Sequence, residues 1–88
     1  MPRISEFFGL VIYMYWFDDQ KHRQPHFHAY YRGAEATFDL KGNVLRGDLG
    51  ARAHRLVREW CSERQVELHR AWKAAIEGKE IPWVPPLL

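Results

Sequence analysis

Ala34-Glu35-Ala36-Thr37-Phe38-Asp39-Leu40 alternates apolar and polar residues without a break. Successive side chains in a strand point to opposite faces, so Ala34, Ala36, Phe38 and Leu40 share one face while Glu35, Thr37 and Asp39 share the other. This pattern predicts a strand over Glu35 to Leu40 in an antiparallel sheet with its core on one side. Upstream, Arg32-Gly33 reads as a short turn and His26 to Tyr31 as the preceding strand. Downstream, Lys41-Gly42-Asn43 reads as a hairpin into a strand near Val44 to Asp48. Before His26, Asp18 to Gln24 is a polar turn closed by Pro25. The run Phe7 to Phe17 is rich in aromatic and β-branched residues and reads as one further strand, covered on both faces or central in the sheet.

From Gly50 the period lengthens from two to about 3.6. Ala53, Leu56, Val57, Trp60, Cys61 and Arg64 fall at helical spacing, with Arg52, Arg55, Arg58 and Glu59 outside the stripe. Asp48 is the expected N-cap, because its carboxylate can accept amides of the first turn. A second stripe of Leu68, Ala71, Trp72, Ala75 and Ile76 ends before Gly78, the expected C-cap. Ser62 with Gln65 fits a capping box between two helices, and one long bent helix would also keep much of the stripe aligned. The expected fold is therefore α+β: a four-stranded antiparallel β-meander followed by a C-terminal helical hairpin, or one long bent helix, packed on one face. The chain reads as a single domain over 1–88, with a sheet part at 1–49, a helical part at 50–78 and a proline-rich arm at 79–88. The prolines of that arm forbid regular helix, so it is expected to extend along the core or a neighbouring subunit.

An 88-residue chain that is 47% apolar and 15% aromatic supports one core and is no disordered tail. A net charge of +2 is too small to imply nucleic-acid binding by itself. The single cysteine, Cys61, excludes an internal disulfide, and its place in an apolar stripe predicts a buried thiol in a reducing, cytoplasmic setting. No targeting signal and no membrane segment is read.

The chemistry concentrates in Pro25-His26-Phe27-His28-Ala29 and His22 just upstream. His26 and His28 share a strand face about 7 Å apart. As metal ligands they would be joined by His22 or Asp18, with Asp19 as another carboxylate, in a site suited to a divalent transition metal such as Zn. As catalytic groups, His26 and His28 would be acid and base of an RNA hydrolase, with Arg32 or Lys21 on the phosphate. As structural groups they would hydrogen-bond carbonyls and carboxylates at the sheet edge. A cupin barrel is excluded, since the second half of the chain is helical and has no later histidine motif.

The helical arginines and lysines, Arg52, Arg55, Arg58, Arg64, Arg70 and Lys73, are interrupted by Glu59, Glu63 and Glu67. They read as a solvated surface before a nucleic-acid stripe. Trp60 and Trp72 fall on the apolar stripes and are expected in the core, while His54 and His69 receive no role. Trp16, Tyr30, Tyr31 and Trp83 exceed what so small a globule is expected to bury, which points to a homo-oligomer or a small protein partner.

Pro2-Arg3-Ile4-Ser5, Val11-Ile12-Tyr13-Met14-Tyr15, His22, Pro25-His26-Phe27-His28-Ala29, Glu35-Ala36 and Arg55-Leu56-Val57-Arg58-Glu59-Trp60 together resemble the DUF4160 family of small bacterial proteins. The resemblance implies no assigned activity. It implies a product of a compact two-gene arrangement, toxin–antitoxin-like in layout. On these grounds the chain is expected to be a binding module, with a small metal- or histidine-dependent RNA hydrolase as the alternative.

Overall fold

The computed structural model describes residues 2–17 and 24–88. Five strands form one antiparallel sheet in chain order: β1 (Arg3–Phe7), β2 (Leu10–Tyr13), β3 (His26–Tyr31), β4 (Ala34–Asp39) and β5 (Val44–Gly47). Two helices follow, α1 (Ala51–Glu63) and α2 (Gln65–Ile76). The α+β meander with helices is as expected, with five strands in place of four.

The extra strand arises inside the run Phe7 to Phe17, which is two strands and a turn. Phe8 and Gly9 both take positive φ, 48° and 84°, and so do Arg32 and Gly33 at 49° and 81°. Positive φ at both central residues is what a two-residue type I′ hairpin requires. The first hairpin is masked in the sequence because an aromatic residue fills the position where Asn or Asp would announce it. Consequently β1 is an outer strand and β2 has one face on the core and one face half-buried.

On the core face Leu10, Ile12, Phe27, Ala29, Ala36 and Phe38 are buried. Trp60 of α1 sits against Phe7 and Phe27, with ring centroids 5.2 and 5.5 Å away, and Phe27 stacks on Phe38 at 5.6 Å. Trp60 and Trp72 are core residues, as their helical spacing predicts. Two β-bulges adjust the sheet, one between Arg3 and Ser5 and one at the β4–β5 pair. At the second, Gly47 lies so close to β4 that a Cβ would come within 2.9 Å of the Ala36 Cα.

The helix ends correct two expectations. Asp48 is not the N-cap of α1: that residue is Gly50, whose N–H donates to Asp48 Oδ1 at 2.8 Å. The carboxylate is spent on this turn, and the neighbouring Leu49 N–H donates to His54 Nε2 at 2.8 Å. Since that nitrogen accepts, the proton of His54 is on Nδ1, and its 3.5 Å approach to Asp48 is no ion pair. The capping box is absent too. Ser62 Oγ donates to the Glu59 carbonyl, while Gln65 Nε2 donates to the carbonyls of Leu40 and Cys61, tying α2 to the end of β4. Between the open alternatives, the structure has two helices, separated at Arg64. Gly78, at φ +70°, stands one residue beyond the cap Glu77. Its N–H donates to Ala75 O and that of Lys79 to Ala74 O, the two bonds of a Schellman end.

The proline-rich arm packs on its own core. Val84 and Leu87 are buried, Val84 N–H donates to the Ile4 carbonyl of β1 at 2.7 Å, and Trp60 Nε1 donates to the Pro85 carbonyl at 2.8 Å. Arg64 reaches the carbonyls of Pro85 and Pro86.

Candidate functional site

Trp60 of α1 packs on the face of the sheet that carries Phe27, and the opposite face carries His26, His28, Tyr30, Glu35 and Thr37. The strand registers set its side chains in rows across the sheet. Arg3, Tyr13, His28, Thr37 and Arg46 are successive Cα partners and form one row. Glu6, Val11, Tyr30 and Glu35 form the next. Apart from the outer arginines and glutamates, these residues are half-buried.

The rows are interlocked. Tyr30 meets Tyr13 edge-on at 5.3 Å, and its phenol is bound to the Glu35 carboxylate. That bond, then burial, then the Glu35 charge, push the Tyr30 phenol up from 10.0 to about 12. His28 stands edge-on to Tyr15 at 4.6 Å, with Nδ1 3.4 Å from Thr37 Oγ1 and 3.8 Å from Glu35 Oε1. At the outer strand Arg3 pairs with Glu6 at 2.8 Å. Glu35 thus binds Tyr30 and lies near His28, so it stands between the two rows.

His26 and His28 share this face, as strand alternation requires, with ring centroids 5.3 Å apart. Their surroundings differ. His26 is 1% exposed, lies 5.3 Å from the Trp72 ring of α2, and its Nδ1 donates to the Gln24 carbonyl at 2.8 Å. A carbonyl only accepts, so Nδ1 of His26 is the donor in this bond. His22 and Asp18, with Asp19 and Lys21, lie outside the described residues. Among the described residues no group of three His, Cys, Asp or Glu side chains is placed to hold a metal ion.

Other candidates resolve into packing. Cys61 is buried, and desolvation, followed by the charge of Asp39, pushes its thiol up to about 12, far from a thiolate nucleophile at neutral pH. Arg52 donates to the Tyr31 hydroxyl and Arg64 holds the arm, so two of the six helical cations serve the fold. Tyr31 is buried and Tyr30 half-buried, whereas Trp16 and Trp83 remain about half exposed, at 47% and 54%. Among the described residues, no helix is long and apolar enough to cross a membrane.

The sequence reading missed Arg3, Glu6, Val11, Tyr13, Tyr15 and Arg46 as members of this face. A signal was present: between Leu10, Ile12 and Met14 the run places Val11, Tyr13 and Tyr15 at every second position, two of them bearing hydroxyls.

A family model described as Domain of unknown function (DUF4160) matches residues 9–73. The match spans β2 to most of α2 and so contains the central strands of the face. No curated protein and no solved structure matches the chain significantly.

Proposed function

The chain belongs to the DUF4160 family, and from that premise we propose that it is a protein-binding module, one half of a two-gene, toxin–antitoxin-like arrangement, working through the sheet face that carries Tyr13, Tyr30 and Glu35. The observation that carries this is the interlocked row of Tyr13, Tyr30 and Glu35 beside His28, Tyr15 and Thr37. Tyrosines held by neighbours offer large contact area and lose little conformational freedom on binding. The charges are mixed, with Arg3 and Arg46 against Glu6 and Glu35. A phosphate backbone would meet both glutamates, so the face suits a protein better than nucleic acid.

The test is titration calorimetry of this chain with the protein encoded by its neighbouring gene. Binding is expected, and Tyr13→Ala and Tyr30→Ala are each expected to weaken it about tenfold or more, with an unchanged circular dichroism spectrum. No binding, or binding indifferent to both changes, would count against the module.

The alternative, a metal- or histidine-dependent RNA hydrolase, draws on the adjacency of the His26 and His28 rings. An acid–base pair needs both members within reach of substrate, and the burial of His26 favours a packing role. Metal content and RNA cleavage measured on wild type and on a His26→Ala, His28→Ala double variant decide it. Equal metal and identical cleavage in both would remove the hydrolase.

A further inference from the structure

We propose that β5 is a docking edge for an extended acidic segment of a partner protein, which adds to the sheet as a sixth strand flanked by Arg55 and Arg58 of α1. This edge is a second site, separate from the tyrosine face.

The two edges of the sheet, β1 and β5, are treated differently by the fold. Beside β1 the chain lays its own extended arm, and Val84 N–H donates to the Ile4 carbonyl. Beside β5 no strand is placed among the described residues, and all four residues of β5 are exposed. The Asn43 carbonyl accepts from Asp39 N–H, so Asn43 turns toward β4 and the next residue, Val44, turns its N–H and C=O outward. Such groups are the template on which an extended peptide adds to a sheet. Val44 and Leu45, 40% and 43% exposed, offer it apolar contact.

Charge selects the occupant. α1 runs back from the end of β5 to the β4–β5 hairpin, where a Cβ on Gly42 would stand 2.9 Å from the Arg58 Cα. Arg55 precedes Arg58 by three residues and so lies on the same side of the helix. Both are exposed, as is Arg46 on β5. Among the described residues none of the three forms an ion pair, not even Arg55 with Glu59 one turn on. The carboxylates at the two ends of β5 hold turns: Asp39 accepts the N–H groups of Lys41 and Asn43, and Asp48 that of Gly50. An acidic strand therefore meets unpaired cations along this edge. A second copy pairing through its own β5 would bring the arginines of both copies together, and like charges oppose that pairing. A nucleic acid would answer the charges but leave the strand's outward N–H and C=O groups and the two apolar side chains unmatched.

Fluorescence polarisation of the full chain with a labelled peptide alternating Glu and Val tests this. Saturable binding is expected, weakening as salt is raised. Arg46→Glu and Arg58→Glu are each expected to weaken it about tenfold, with thermal melts confirming that both variants are folded. N-methylation of the peptide amides is expected to abolish it, since the main-chain donors are then gone. A peptide alternating Lys and Val is expected not to bind. No binding of the acidic peptide up to about 1 mM, or equal binding of the basic one, would overturn the β5 edge as its seat. So would binding that survives N-methylation. Binding lost in Arg46→Glu but untouched in Arg58→Glu would overturn it by placing the peptide on the tyrosine face. An oligouridylate that binds more tightly than the peptide, and loses affinity in the same variants, would overturn it in favour of nucleic acid.

Discussion

Tyr30 shows how one residue reports on the whole face. Its phenol titrates at about 12 in the folded chain against 10.0 for an unperturbed tyrosine. The folded state therefore holds this proton more tightly than the unfolded state, and the associated stability is fully present below pH 10. It is lost as the pH rises through 12. Glu35→Ala removes both Glu35 contributions, the hydrogen bond and the charge, so the phenol is expected to move back toward 10. A spectrophotometric titration, with Tyr30→Phe identifying the group, checks this; a phenol still at 12 in the variant would contradict the assigned cause.

The two histidines make a matched comparison at the same scale. His26→Ala leaves a hole against Trp72 and orphans the Gln24 carbonyl, and is expected to cost about 2–4 kcal/mol. His28→Ala on the half-buried face is expected to cost about 1 kcal/mol. Urea unfolding of both measures the difference, and equal costs would remove the packing role assigned to His26. The shared orientation of these imidazoles was legible in the sequence from alternation alone. Their unequal burial was not, because it depends on Trp72, forty-six positions away in the chain.

Among the elements, the two X-Gly hairpins explain which part of the meander was readable. Arg32-Gly33 separates strands of visibly different pattern, so its turn stood out; Phe8-Gly9 sits within an unbroken apolar run and merged two strands into one. Local pattern cannot reveal a turn whose residues also suit a strand. Phe8 is exposed and carries a φ of 48°, a conformation that Asn adopts with less strain. Phe8→Asn is therefore expected to raise stability by about 0.5–1 kcal/mol, read as a shift of the urea midpoint at unchanged slope. Gly47 makes the opposite case. Its φ of +85° and the contact that a Cβ would make with β4 mean that Gly47→Ala strains the backbone and pushes the β4–β5 pair apart. The same measurement is expected to show a loss of about 2 kcal/mol or more.

For the molecule as a whole, the change of period at Gly50 divided sheet from helices correctly and, with the strand alternation, placed the core between them. What the sequence left open was the closure of that core, since the arm's prolines excluded a helix without saying where the arm lies. The structure lays it on β1 and α1, where one apolar segment completes the packing of both layers. Val84 and Leu87 are buried there, Val84 caps the Ile4 carbonyl, and two side chains of the α1 end, Trp60 and Arg64, bind consecutive proline carbonyls. Burying two such side chains contributes about 3–6 kcal/mol, comparable with the whole net stability of a small domain. Truncation after Glu80 is therefore expected to abolish the cooperative urea transition or move it to a far lower midpoint. Trp60→Phe, which keeps a ring in the core but loses the bond to Pro85, is expected to cost only about 1–2 kcal/mol. A truncated chain that unfolds like wild type would show the arm to be a passenger. A loss matched by Trp60→Phe would place its contribution in that single hydrogen bond instead of the buried side chains.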